Sequence, residues 1–120
     1  RRCRKALSGE VEICGKIEIY IVDDYKTPLT NYDYKILNPA NAEEFSGQAY
    51  NGKIERKDIL PGEYDLYLTE RDEENKYSNV DIPENCIEKT VIKHDIDEKI
   101  KISSFETFKI KINNPDGLSR

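Results

Sequence analysis

Little in this chain is equipped for chemistry. His94 is the single histidine, set between Lys93 and Asp95 at the end of a β-patterned segment. An imidazole base needs a nucleophile on one side and an orienting acid on the other, and no serine occupies the G-x-S-x-G turn that would present one. Phosphate-cradling glycine loops are also missing. The expectation is a surface histidine with no role, no catalytic residue and no enzyme. Hard-cation chemistry has more material. Asp23 and Asp24, and the run Asp72, Glu73, Glu74 with Asn75 and Asp81, would supply oxygen ligands if their loops share a rim. Neither group has the spaced D-x-D-x-D-G pattern of a calcium loop, so a solvated acidic rim with no metal and no cofactor is expected. Tyrosine is plentiful, and Tyr20, Tyr50 and Tyr67 fall at outward or turn-tip positions where a ring could stack on a sugar or peptide. Strand propensity accounts for the same residues without a ligand.

The three cysteines, Cys3, Cys14 and Cys86, lack zinc-ligand spacing and are too few for a disulfide framework. In an exported protein Cys14 could bridge to Cys86 and leave Cys3 for a partner. The plainer expectation is three reduced thiols.

These residues depend on strands for their positions. The clearest turns lie in residues 44–68, where Asn51-Gly52 suits a two-residue hairpin and Pro61-Gly62 a type II turn. Three strands should meet there, the last with Tyr64, Leu66 and Leu68 on one face and Glu63, Asp65 and Tyr67 on the other. Ile17, Ile19 and Ile21 alternate in the same way after Gly15, as do Tyr32, Tyr34 and Ile36 before Pro39. Further strands are expected over residues 86–93, 99–103 and 105–112. The ionisable run 70–74 cannot be buried and belongs to a rim loop. No segment has an apolar stripe at helical spacing, so the pattern predicts an all-β antiparallel sandwich of seven or eight strands. Lysines at outward positions would discourage association through sheet edges.

At 120 residues the chain is expected to hold one domain: a basic tail or linker over 1–10, a sandwich over 11–113 and a tail over 114–120. Arg1, Arg2, Arg4 and Lys5 are basic, whereas the rest carries 15 basic against 24 acidic residues. An acidic body repels phosphate and argues against nucleic acid as a partner. No apolar run approaches the length of a membrane span. Without an initiator Met, the chain is expected to be part of a longer polypeptide.

The order of elements resembles the transthyretin-like or carboxypeptidase-regulatory-like (Cna-B-like) β-sandwich. Asp23, Pro28, Leu29, Tyr34 and Ile36 carry the resemblance first, then Gly47, Asn51, Gly52 and Ile54, and finally Leu60, Pro61, Gly62, Tyr64 and Leu66, together spanning about residues 16–68. Two functions follow from it. Thr27-Pro28-Leu29-Thr30-Asn31-Tyr32-Asp33-Tyr34 is similar to a segment of sandwich modules appended to bacterial type VI secretion spike and effector proteins. That implies a non-catalytic spacer or docking module, secreted or in the cell envelope, with other domains of its parent or another protein as partners. The second resemblance is to the repeats of collagen-binding adhesins, which implies a ligand-binding surface module and, in many members, a lysine–asparagine isopeptide bond. The adhesin lysine falls near Ile21 and the acid at Leu68, both apolar here. Asn113 or Asn114 matches the asparagine, and Lys16 with Glu70 would substitute only in a displaced register.

Overall fold

The fold, obtained as a computed structural model, describes residues 14–40, 42–93 and 98–114. The expected basic tail, His94 and residues 115–120 lie outside that set. The described chain forms β1 (Gly15–Val22), β2 (Tyr32–Asn38), β3 (Glu43–Ala49), β4 (Lys53–Ile59), β5 (Glu63–Glu70), β6 (Ile87–Ile92), β7 (Ile100–Ser103) and β8 (Glu106–Asn113). One sheet has the order β4-β1-β8-β6 and the other β3-β2-β5-β7. This is the expected all-β sandwich, with one difference. Both contacts of β8, with β1 and with β6, are parallel.

Alternation determines what fills the space between the sheets. Ile17, Ile19 and Ile21 of β1 and Phe108, Ile110 and Ile112 of β8 face Tyr32 and Ile36 of β2 and Tyr64, Leu66 and Leu68 of β5, all of them buried. At roughly 1.5–3 kcal/mol for each large apolar side chain removed from water, this layer is the main favourable contribution to folding. Its outward lysines are partly or fully exposed, as patterned. Asp65 departs from the pattern. It is only 3% exposed, with Lys101 of the neighbouring strand at 3.1 Å.

The turns in 44–68 exist but do not close hairpins. β3 pairs with β2 and β4 pairs with β1, so the Asn51-Gly52 turn carries the chain from one sheet to the other, and the Pro61-Gly62 turn carries it back. Alternation tells which face a residue occupies and says nothing about its neighbour strand. Gly52 has φ +84°, and its carbonyl accepts from Ile21 N at 2.9 Å, which ties the turn to the end of β1. Gly15 is required for a different reason: a Cβ there would sit 2.7 Å from that of Ser104. The close approach lets the β7–β8 connection cross over the start of β1, where Phe105 N donates to Lys16 O at 2.5 Å.

Residues 71–86 link β5 to β6. Ser78 Oγ donates to Asn51 O at 2.8 Å beside β4, and Cys86 sits near Lys109 and Glu18 just before β6. The segment is therefore a strap across the outer face of the β4-β1-β8-β6 sheet. Tyr20, read from the sequence as exposed, lies on that face and is 4% exposed, with Lys53 Nζ 5.4 Å from its ring centre.

Candidate functional site

The loops that could carry function gather at the end of the sandwich where β1 and β5 finish and β2 begins. Asp23 opens the first. Its Oδ1 accepts from Tyr25 N at 2.8 Å and Thr27 N at 2.9 Å, a local turn that leaves Tyr25 88% exposed at the tip. Asp24 points the other way and accepts from Asn113 Nδ2 at 2.8 Å, pinning the loop to the end of β8. Both acids are thus engaged in holding their own loop.

Arg71 organises the second loop. Its guanidinium donates to the carbonyls of Thr30 and Tyr32 and to Asp33 and Glu73 at 2.7–3.0 Å, and it stacks 5.8 Å from the ring centre of Tyr50. Hydrogen bonds to Asp33 and then Glu73 hold it protonated above its usual range. Asn75 locks the two loops together: its Oδ1 accepts from Thr30 N at 2.6 Å and Thr30 Oγ1 at 2.9 Å. Asn31 is buried beneath, donating to Glu73 O at 3.0 Å, while its Oδ1 has no partner. Burial, then the nearby Glu70 charge, push the Tyr32 hydroxyl well above the ordinary tyrosine range.

Between these loops opens a polar cleft of about 350 Å³, lined by Asp23, Asn31, Glu70, Glu73, Lys93 and Asn114 among others. Lys93 Nζ pairs with Glu70 Oε2 at 3.3 Å. The acidic rim residues Asp72, Glu73 and Glu74 are exposed as expected, and Asp23 shares the cleft with Glu73. Among the described residues no three His, Cys, Asp or Glu side chains cluster as metal ligands.

The three tyrosines named from the sequence are not brought together. Tyr20 is beneath the strap, Tyr67 lies on the outer face of the other sheet with Lys35 Nζ 5.2 Å from its ring centre, and Tyr50 is 73% exposed at the loop end. The structure instead places Tyr25 and Tyr77 at the same end as Tyr50, 88% and 91% exposed. The Ser78–Asn51 bond sets Tyr77 beside the Tyr50 turn, and Pro28 touches that turn at Gly52. Sequence reasoning missed Arg71, and it named Asn75 as an oxygen ligand and Thr30 and Asn31 as part of a motif without their cross-loop bonds, because a bond spanning 45 residues leaves no local pattern.

Cysteine chemistry also differs from expectation. Cys14 is disulfide-bonded and Cys86 is a free thiol, so the two do not bridge one another and not all thiols are reduced. An isopeptide bond has no lysine in place. Ile21 and Leu68 are buried, and Lys16, near the start of β1, is at the opposite end of the parallel β1–β8 pair from Asn113.

No known protein family and no curated protein matches the chain. Among solved structures, it is similar to the major pilin subunit of Bacillus cereus, with a TM-score of 0.51 and 16% identity over 87% of this chain. The match covers 30% of that subunit, so the chain spans less than a third of its length. The likeness extends to the sandwich fold.

Proposed function

We propose that this chain is a non-catalytic structural module of a larger bacterial protein, displayed at the cell surface or secreted, where it spaces or docks neighbouring domains. The observation that carries this is the pairing of the first and last strands. Because β1 and β8 are parallel neighbours, the chain enters the sandwich at one end and leaves at the other, as a spacer requires. The Cys14 disulfide suits an oxidising compartment, and the fold is one that a pilin subunit also uses. A place in a secretion or injection apparatus is the narrower reading, supported by the Thr27–Tyr34 motif, which here forms the bonded loop before β2 and the start of that strand. Residues 11–113 would be the domain and the basic residues 1–10 its link. Labelling intact cells with a membrane-impermeant amine reagent tests the reading. Modified module lysines, on cells or in the medium, are expected, and a parent protein labelled only after lysis overturns it.

A second reading, a ligand-binding module for carbohydrate or a host protein, is favoured by the exposure of Tyr25, Tyr50 and Tyr77 at the end of the sandwich that also holds the cleft. A glycan array and a calcium titration separate the two. A saturable response lost in Tyr50→Ala supports the ligand module; a flat one leaves the spacer.

A further inference from the structure

The spacer reading concerns where the chain enters and leaves; the register of the same two strands says what happens when those points are pulled apart. Residues 17–22 of β1 lie beside 106–111 of β8 in unbroken parallel register at the centre of their sheet. With Ile17 opposite Glu106, the start of β1 and the end of β8 lie about 30 Å apart along the strands. Tension between those points slides the strands past one another instead of peeling them. The inter-strand hydrogen bonds then share the load and must fail together. Peeled from one end, they would fail singly, each too weak to hold alone.

We propose that the β1–β8 pair is a shear clamp, which makes the module a force-bearing element that yields as one unit and re-forms when released. Three further features fit that role. Both strands are interior to the sheet, with β4 and β6 outside them. Their inner faces, Ile19, Ile21 and Ile110 among them, are closed to water. Each end is also secured by a bond of its own, Phe105 N to Lys16 O where β1 begins and Asn113 Nδ2 to Asp24 Oδ1 where β8 ends. The two strands are held by ladder hydrogen bonds and packed side chains, which can re-form when the tension is released.

The proposal gives the spacer reading a mechanical purpose and rests on it for that purpose; the mechanical property can be measured alone. The 120-residue chain would be stretched in a force spectrometer through handles at Arg1 and Arg120. A second sample, Lys26→Cys in a Cys86→Ser background, would be held at residue 26 and Arg120. Lys26 is exposed in the turn after β1, at the same end as Asn113, so this geometry peels the pair. Matching circular dichroism and thermal midpoints establish that the variant is folded. The expected result is a single rupture at several-fold higher force through the two termini than through residue 26, with refolding on relaxation. Equal forces, or gradual extension at low force through the termini, overturn the clamp and leave the surface-module reading to its labelling test. A parent protein confined inside the cell would sink that reading and change neither force.

Discussion

The two long sides of the sandwich are closed by different means. On one, β3 and β4 are consecutive, seven residues each, and joined by a tight turn. Arg56 of β4 lies 4.6 Å from the ring centre of Phe45 on β3 and donates to the hydroxyl of Tyr34 on β2 at 3.3 Å. Phe45 in turn leans on Tyr64, with ring centres 6.5 Å apart. The seal consists of buried and half-buried rings and a cation stacked across the gap between sheets. On the other side β6 faces β7, which has only four residues and pairs with only the first half of β5. A groove of about 400 Å³ remains, lined by Lys89, Val91, Lys99 and Ile100 among others, and Ile87 is 41% exposed. The Lys93–Glu70 pair that crosses this side is exposed, and such pairs contribute at most about 1 kcal/mol. One side is therefore part of the core and the other is a margin where local opening should begin.

The largest expected effect tests that contrast directly. Phe45→Ala removes a half-buried ring and its contacts with Arg56 and Tyr64, and should cost about 2–3 kcal/mol in urea denaturation. Val91→Ala, the matching deletion on the β6 side, should cost about 1 kcal/mol or less, because its site is already half open to solvent. Equal costs would mean that the β6 side is packed as well as the other.

Alkaline titration comes next and acts on the sealed side. Burial, then the hydrogen bond with Glu43, hold the Tyr64 hydroxyl up to about 12, against 10 for a free tyrosine. The folded chain keeps a proton that the unfolded chain releases, so this contribution is intact below pH 10 and is lost as pH rises through about 12. Tyr64→Phe should reduce the slope of stability against pH in that window and also weaken the protein at neutral pH by about 1 kcal/mol, through loss of the bonds to Glu43 and Leu60. An unchanged slope would place the alkaline sensitivity elsewhere, Tyr32 being the next group to test.

Arg56→Ala should cost about 1 kcal/mol, the worth of a half-exposed cation–π contact with one hydrogen bond. Arg56→Lys should recover part of it, since an ammonium can sit over the ring without the guanidinium's planar contact. A neutral Arg56→Ala would show that the rings close this side by themselves.

The sequence announced the sealed side far more clearly than the margin, for a physical reason. Asn51-Gly52 and Pro61-Gly62 state their backbone requirements locally, and isoleucines two apart state a face. Residues 44–68 therefore gave strands and turns in the right places, although the partner of each strand could not be read from periodicity. The loop end was hardest. Its acids were visible as a rim, yet the residues that hold it together, Arg71, Thr30, Asn31 and Asn75, resemble ordinary polar loop residues until the chain folds. Tyr20 failed in a similar way, because an outward position says nothing about a 16-residue strap laid over it.

The smallest effect belongs to the margin and concerns Cys86, which precedes β6. Burial pushes its thiol up; Lys109 opposes the shift and Glu18 adds to it. The reactive thiolate is then scarcer at neutral pH than in a free cysteine, and alkylation of the native protein should be slow and should speed up as pH rises. Mass spectrometry after exhaustive alkylation without reductant should find Cys86 modified and Cys14 unmodified, because Cys14 is bridged. Cys86→Ser should shift stability by less than about 0.5 kcal/mol, since the side chain is half exposed and its one bond, Sγ to Pro83 O at 3.2 Å, is kept by a hydroxyl. A cost several times larger would mean that the start of β6 is anchored as firmly as β4, and the distinction between the two sides would have to be redrawn around that thiol.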